Sequence, residues 1–234
     1  MSIFYDIAQG SAIWEEMHIS RPTASVFKRI LTPQGRPSKQ WEKFALQIIT
    51  ERIVQRRINV FTSEPMERGK IIEEDARNWY EYVYETDVQL GGFFTTDDGK
   101  FGASPDGRIG TNGLLEIKAP LIHNVVAHYI TEKPDHEHWP QLQSQLYACA
   151  PEREWVDMLV YSGEPEKVSH IVTRAYVDEP YQKLIAKELA KFNEFVEKVI
   201  ERIREVSGRH ALILPPQTPK RALREMLQKS LEAT

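Results

Sequence analysis

The stretch 102–120 constrains this chain most, because it sets three charged side chains into a segment otherwise made for strands and turns. Asp106 lies in the turn segment SPDG, and Glu116 and Lys118 lie in the strand pattern LLEIK that follows. Side chains alternate between the two faces of a strand, so Glu116 and Lys118 share one face about 7 Å apart. If the hairpin folds back, Asp106 reaches the same face. The stretch therefore predicts two carboxylates beside an ammonium group on a rigid strand.

This group of charges has two interpretations. Magnesium takes oxygen ligands and keeps waters and substrate phosphates in its shell, and a nearby lysine can orient a water or stabilise charge on a phosphate. Alternatively, E-x-K in a strand is commonly a solvated ion pair that contributes less than ~1 kcal/mol. The apolar neighbours of the carboxylates favour the cation site, because an unpaired charge beside them would be costly.

Composition and charge restrict the class of protein. The chain has 234 residues, of which 41% are hydrophobic, so one domain with a sizeable core is expected. The net charge of −4 does not indicate a nucleic-acid partner, so any basic surface has to be local. The single cysteine, Cys149, excludes a disulfide within the chain and a four-cysteine metal cluster. Neither a signal peptide nor a membrane span is recognisable, which favours a cytoplasmic protein.

Hydrophobic periodicity predicts an α/β (α+β) fold, a mixed sheet of about five strands flanked by helices. The predicted strands are 87–94, 99–103, 114–118, 154–162 and 168–177. The predicted helices are 39–57, 64–85, 123–132, 135–149 and 179–206. Residues 1–206 then form one domain, and 207–234 form a linker followed by a short amphipathic tail helix at 218–232.

Several further signals leave alternatives open. Thr23 or Ser25 can cap a short helix, and the N-terminus of that helix could bind an anion or be merely capped. The arginines at 52, 56 and 57 could face a phosphate backbone or be a solvated helix end. The cluster 135–138 (DHEH) does not place its side chains on one helix face, which disfavours zinc. A phosphate-binding loop, a nucleophile elbow and a dinucleotide fingerprint are all missing from the sequence.

Several of these patterns together resemble one family. The order of Glu73, SPDG, LEIK and QLQ is similar to the PD-(D/E)XK nucleases, whose core is that of the restriction endonucleases. More narrowly, the chain resembles the lambda-type alkaline exonucleases, the YqaJ-like viral recombinase family. Trp14 with the segment TAS at 23–25 resembles that family's N-terminal element, and 68–77 (RGKIIEEDAR) resembles its GK-x-x-E-x-D-A-R helix.

The resemblance implies a processive, Mg²⁺-dependent 5′→3′ exonuclease on linear double-stranded DNA. Such an enzyme releases mononucleotides and leaves 3′ overhangs for recombination by strand annealing. Two Mg²⁺ ions per site are implied, with Mn²⁺ as a substitute. The implied partners are linear duplex DNA, two further copies in a homotrimer ring and a single-strand annealing protein. The expected location is the cytoplasm of a bacterial host that carries the phage or prophage.

The resemblance also implies roles for individual residues. Asp106, Glu116 and the Ile117 carbonyl would bind metal, and Glu73 would lie beside the metal shell. Lys118 would position the attacking water, and Gln143 would support either the lysine or that water. The DNA or its 5′-phosphate would be contacted by a further set of residues: Ser25, Ser104, His18 and Arg21.

The chain departs from the family at one position. The family places an arginine four residues after the tryptophan, whereas this chain has His18, and we expect Arg21 to take over its role. Two other functions remain open from the sequence. One is a site-specific or structure-specific endonuclease on the same core, and the other is a non-catalytic DNA-binding module.

Overall fold

The computed structural model describes residues 2–58, 64–131, 136–163 and 170–207. The predicted linker and tail helix lie outside these residues, except for Ser207. The strands are β1 (Ser2–Tyr5), β2 (Val88–Leu90), β3 (Phe93–Thr96), β4 (Gly102–Ala103), β5 (Gly107–Ile109), β6 (Gly113–Lys118), β7 (Trp155–Tyr161) and β8 (His170–Tyr176). The α-helices are α1 (Ala12–His18), α2 (Trp41–Val54), α3 (Glu64–Tyr84), α4 (Ile122–Thr131), α5 (Trp139–Ala148) and α6 (Glu179–Val206). Short 3₁₀ helices span Ala24–Arg29 and His136–His138.

A five-stranded mixed sheet forms the centre of the fold, as the sequence predicts. Its strand order is β2-β5-β6-β7-β8, and only the β6–β7 pair is parallel. A parallel pair needs a long crossover connection, and here it carries α4 and α5. β1, β3 and β4 form a second, three-stranded sheet.

The two faces of the central sheet bury two apolar layers. Leu114 of β6 lies in the larger core with residues of α2, α5 and α6. Leu115 and Ile117 lie in the other, with Ala76 and Tyr80 of α3. This alternation follows from the period of two along a strand. It puts Glu116 and Lys118 on the side of the sheet that α5 covers.

Helix α6 shows how closely some elements follow local sequence. Asp178 accepts a hydrogen bond from the Tyr181 N–H at 3.1 Å, and a proline lies in the first turn. Buried side chains then recur every three or four residues: Ile185, Leu189, Phe192, Val196 and Ile200. The helix therefore spans the predicted 179–206.

The predicted strand 87–94 is wrong in one respect, since it is two strands that belong to different sheets. The chain changes sheets at Gly91 and Gly92, and Gly92 has a left-handed φ of 68°. A Cβ built on Gly91 would lie 1.6 Å from the Pro105 carbonyl oxygen, so only glycine allows this approach. Strands β1 and β5 were not predicted, and the predicted strand 99–103 is confined to β4.

None of the helices in the described part of the chain is long and apolar enough to cross a membrane.

Gly91→Ala should destabilise the protein, because the added methyl group would collide with the backbone of the loop that carries Asp106. We expect the free energy of unfolding to fall by about 1–3 kcal/mol, as it does at other overpacked sites. Thermal unfolding followed by circular dichroism measures it. Gly110→Ala is the control: its φ of 52° is unfavourable for alanine, but no atom lies within 4 Å of the new Cβ. Equal melting temperatures for the two variants would contradict the steric account.

Candidate active site

Strand pairing brings Asp106 next to Glu116. Gly107 of β5 lies opposite Leu115 of β6, so the antiparallel register carried one step further places Asp106 opposite Glu116. The Asp106 N–H donates to the Leu115 carbonyl oxygen at 3.0 Å, and the Ile117 N–H donates to Asp106 Oδ2 at 2.6 Å. The first carboxylate is thus fixed by backbone groups of the strand that carries the second.

The carboxylate of Glu116 is buried and surrounded by donors. Lys118 Nζ donates to its Oε1 at 2.6 Å, as does Gln141 Nε2 at 2.6 Å. Gln145 Nε2 donates to its Oε2 at 2.5 Å. A buried carboxylate is tolerated only with such partners. Gln141 Oε1 in turn accepts from Lys118 Nζ at 3.0 Å, so the lysine, the glutamate and the amide form a closed triangle.

Electrostatics around Asp106 indicate a place for a cation. Burial raises the pKa of Asp106 well above its usual range, and the negative charges of Glu116 and Glu73 raise it further. The ammonium group of Lys118 and the Ile117 N–H oppose this rise in pKa without cancelling it. A positive group next to Asp106 would therefore stabilise its ionised form.

Lys118 carries its proton in this arrangement. Burial acts to lower the pKa of Lys118, but Glu116, Asp106 and Glu73 more than offset it, and the net change is upward. As a fixed ammonium group, Lys118 can orient a water or stabilise charge on a phosphate.

Helix α3 contributes Glu73 to a cavity that Asp106, Glu116 and Lys118 also border. Arg77 Nη2 pairs with Glu73 Oε1 at 3.2 Å, one helical turn further on. This arginine orients the glutamate from the helix side.

Of the two roles expected for Gln143, direct support of Lys118 is wrong, because its side chain is bonded elsewhere. Gln143 Nε2 donates to the Tyr176 carbonyl oxygen at 2.7 Å, and Gln143 Oε1 accepts from the Asp178 N–H at 3.0 Å. Residues two apart on a helix point in different directions, so Gln143 ties α5 to the start of α6. Gln141 and Gln145, four residues apart, take the places beside Lys118 and Glu116.

The side chains of Asp106 and Glu116 suit magnesium better than they suit a metal whose ligands all come from the protein. Among the described residues, no three histidine, cysteine, aspartate or glutamate side chains form a preformed metal cage. Magnesium commonly uses one or two carboxylates and completes its shell with waters and substrate phosphates. Asp106 and Glu116 are two hard oxygen donors of this kind, and both border the cavity together with Ile117.

This cavity has a volume of about 680 Å³, and arginines border the part of it formed by α1, α2 and the segment between them. His18 also borders the cavity. Burial, and to a smaller extent the charges of Arg57 and Arg21, lower its pKa to about 4, although its hydrogen bond with the Trp14 carbonyl acts in the opposite direction. His18 is thus neutral at neutral pH and supplies no charge to an anion.

Arg21 is also poorly placed as a replacement for the family arginine. Its Nε donates to the Gly99 carbonyl oxygen at 2.7 Å, and its Nη1 donates to the Met17 carbonyl oxygen. The residue is only 4% exposed. Although Arg21 borders the cavity, its guanidinium mainly braces the loop that carries Gly99.

The two predicted serines differ in what they can offer. Ser25 is exposed at the cavity, and its hydroxyl lies 3.3 Å from Thr23 Oγ1. Ser104 donates its proton to the Gly92 carbonyl oxygen and accepts from Trp14 Nε1, both at 2.8 Å. Ser25 therefore remains available to a phosphate, whereas Ser104 holds Trp14 against the SPDG turn.

Arg57 is the better-placed cation at this part of the cavity. Its Nη1 pairs with Glu15 Oε2 at 2.9 Å, and its side chain is 32% exposed. The sequence had grouped it with Arg52 and Arg56 without choosing between them. Arg52 is buried and pairs with Glu197 at 2.6 Å, and Arg56 is exposed, so only Arg57 borders the cavity.

Glu51 was missed by the sequence analysis and holds this region together. Its buried carboxylate accepts from the Ser20 N–H at 3.0 Å, from the Ile58 N–H at 3.3 Å and from Gln47 Nε2 at 2.9 Å. It thereby joins the segment before the first 3₁₀ helix to the end of α2, next to Arg57. A single glutamate on an amphipathic helix gives no sequence signal for this role.

Comparisons with known proteins agree with the geometry. Residues 13–150 match the YqaJ-like viral recombinase domain. The fold is similar to the crystal structure of an alkaline exonuclease, LHK-Exo, from Laribacter hongkongensis, with a TM-score of 0.75 and 26% identity over 84% of this chain and 98% of that one. The same enzyme is also known in complex with dAMP, with the same similarity to this chain.

A phage-related exonuclease from Haemophilus somnus shares the fold alone, with a TM-score of 0.61 and 9% identity over 78% of this chain and 96% of that one. Curated protein sequences gave no significant match.

Asp106→Asn should stabilise the metal-free protein at neutral pH. Because the folded state raises the pKa of Asp106, stability falls as pH rises above the ordinary carboxylate pKa, and the neutral amide removes that loss. Asparagine keeps an oxygen for the Ile117 N–H. We expect a melting temperature a few degrees above wild type without metal, measured by differential scanning fluorimetry.

Magnesium should raise the melting temperature of the wild type and leave that of Asp106→Asn nearly unchanged, because a ligand that binds only the folded state stabilises it. The same magnesium-induced shift in both proteins would show that Asp106 does not bind the cation.

Proposed function

Because the chain belongs to the YqaJ-like viral recombinase family, we propose that it is a Mg²⁺-dependent 5′→3′ exonuclease acting on linear double-stranded DNA. Family membership and the likeness to an alkaline exonuclease support the coarser statement that it is a DNA exonuclease of phage recombination. The finer proposal is that it releases mononucleotides processively and leaves 3′ overhangs for strand annealing.

One observation carries this proposal: Asp106, Glu116 and Lys118 border the same cavity as Arg57 and Ser25. Carboxylates suit a cation, and an arginine with a hydroxyl suits a phosphate. The volume of about 680 Å³ is that of a pocket for a small ligand, for which about 300–1,000 Å³ is usual. A nucleotide at a DNA end fits a pocket of this size.

In the mechanism that we propose, Asp106, Glu116 and the Ile117 carbonyl would hold two Mg²⁺ ions, for which Mn²⁺ would substitute. The bound cations would stabilise the charge on the attacking and leaving oxygens of a phosphodiester. Lys118, held by Glu116 and Gln141, keeps its ammonium group directed at the reaction site and orients the attacking water. Glu73 adds negative charge that attracts the cations.

We further propose that Arg57 and Ser25 bind the terminal 5′-phosphate, in place of His18 and Arg21. A phosphate monoester carries up to two charges, and a charge-assisted hydrogen bond from arginine is about twice as strong as a neutral one. In the absence of DNA, the carboxylate of Glu15 forms a partly exposed ion pair with the Arg57 guanidinium. Such a pair contributes under ~1 kcal/mol, so a phosphate can displace the glutamate.

The biological setting follows from the family. We propose a homotrimer ring around the DNA and a single-strand annealing protein as partner, in the cytoplasm of a bacterial host of the phage. The segment 208–234 is a candidate contact for either partner, because its sequence has an amphipathic pattern with Leu223, Met226, Leu227 and Leu231.

Asp106→Ala and Lys118→Ala should each abolish the Mg²⁺-dependent release of nucleotides from linear duplex DNA, measured as acid-soluble product. Closed circular DNA should remain intact with every variant and with the wild type, because the site accepts a DNA end. Cutting of the circle by the wild type would favour an endonuclease. Metal-independent DNA binding without any cleavage would favour a non-catalytic module.

Arg57→Ala should slow the digestion of 5′-phosphorylated duplex about 10- to 100-fold. This is the effect expected when hydrogen bonds to a charged group, worth about 1.5–3 kcal/mol, are lost. Duplex with 5′-hydroxyl ends should be affected much less. Initial rates on both substrates measure the difference, and Arg56→Ala, an exposed neighbour outside the cavity, is the control. Equal losses on the two substrates would show that Arg57 does not bind the terminal phosphate.

A further inference from the structure

Gln145 lies in the wall of the cavity with its amide fixed in one orientation. The residue is 1% exposed, and its Nε2 donates to Glu116 Oε2 at 2.5 Å. A carboxylate accepts hydrogen bonds and cannot donate one, so the nitrogen has to face Glu116. The side-chain oxygen of Gln145 consequently points away from the Glu116 oxygen that the nitrogen contacts.

That oxygen has no hydrogen-bond partner in the described part of the chain, although it is buried. Leaving a buried acceptor unsatisfied costs about 1–3 kcal/mol, and the large majority of buried polar atoms have a partner. Because Gln145 borders the cavity, a group bound there can supply the missing donor.

Gln145 differs in this respect from the other two glutamines of α5. Gln141 uses its oxygen for Lys118 Nζ and its nitrogen for Glu116. Gln143 uses its oxygen for the Asp178 N–H and its nitrogen for the Tyr176 carbonyl. Of the three amides, only that of Gln145 has an oxygen without any hydrogen bond in the described part of the chain.

The chemistry of the substrate narrows what that ligand is. Phosphodiester oxygens are acceptors and cannot satisfy another acceptor. Water can donate, and it occupies polar sites that offer it several partners. Gln145 and Glu116 both border the cavity, and both carry acceptor oxygens.

We propose that Gln145 is a positioning residue, whose carbonyl oxygen holds a water of the reaction site next to Glu116. The water belongs to the hydration shell of the bound cation or is the attacking water itself. This inference rests on the proposed function and adds a residue that none of the sequence motifs singled out. Residues that orient metal-bound groups from outside the ligand set typically change metal affinity or activity about 10- to 100-fold when they are replaced.

The test replaces Gln145 by methionine, which has a similar shape but lacks the amide. Isothermal titration calorimetry with Ca²⁺ in the absence of DNA should show cation binding weakened by about 10- to 100-fold. With Mg²⁺ and linear duplex, kcat should fall while KM for DNA changes little. The matched control is Gln143→Met on the same helix, which should lower the melting temperature but leave Ca²⁺ affinity at the wild-type level.

A second variant separates the oxygen of Gln145 from its nitrogen. Gln145→Glu loses the donor to Glu116 but keeps an acceptor, so it should bind Ca²⁺ at least as tightly as wild type. It also tests the proposal independently if the methionine variant does not fold. Ca²⁺ binding that is weakened equally in the methionine and glutamate variants would show that only the contact with Glu116 matters, and would overturn the proposal.

Wild-type affinity and wild-type kcat in Gln145→Met would overturn the proposal as well, as would a wild-type protein that binds no cation. If instead the wild type binds Ca²⁺ but does not digest linear DNA, the proposed function fails while the calorimetry still decides the role of Gln145.

Discussion

The buried carboxylate of Glu116 is the constraint on which the site depends. A charge on the central strand of a sheet has to be compensated by groups around it. Lys118 from the same strand and Gln141 and Gln145 from α5 provide this, all within 2.6 Å of a carboxylate oxygen. The arrangement fixes how α5 packs on the sheet, and it holds the ammonium group beside the carboxylates.

Asp106 adds the charge that this arrangement does not balance. Burial, and after it the charges of Glu116 and Glu73, raise the pKa of Asp106 more than Lys118 and the Ile117 N–H lower it. In the proposed function a divalent cation would supply positive charge here, and two carboxylates are the number that magnesium commonly takes from a protein. Stability, cation binding and catalysis would then be linked through one aspartate, and its neutral variant tests this link.

Local rules were enough to predict which charged side chains share one face of the strand. The period of two placed Glu116 and Lys118 on one face, and a cap with regular apolar spacing located α6. The family resemblance that these motifs suggested is confirmed by the match over 13–150. Gln141, Gln143 and Gln145 were harder to assign, because spacing shows which of them share a face but not which face meets the sheet. That choice depends on how α5 docks.

Contacts between distant segments explain the other differences. Gly91 ends one strand because the Pro105 carbonyl oxygen occupies the space of a side chain. His18 and Arg21 look like phosphate ligands in the sequence, but burial makes the first neutral and two backbone carbonyls occupy the second. Arg57 faces the cavity because Glu51 holds both neighbouring segments.

The central claim is that the residues around one cavity bind a DNA end by its 5′-phosphate and release nucleotides from that end. The most direct measurement follows the release of label from linear duplexes labelled at either the 5′ or the 3′ end, with Mg²⁺ and with EDTA. The account predicts immediate release of the 5′ label as a mononucleotide, late release or retention of the 3′ label, and no release in EDTA. Labelled oligonucleotides cut from internal positions, or equal release in EDTA, would contradict it.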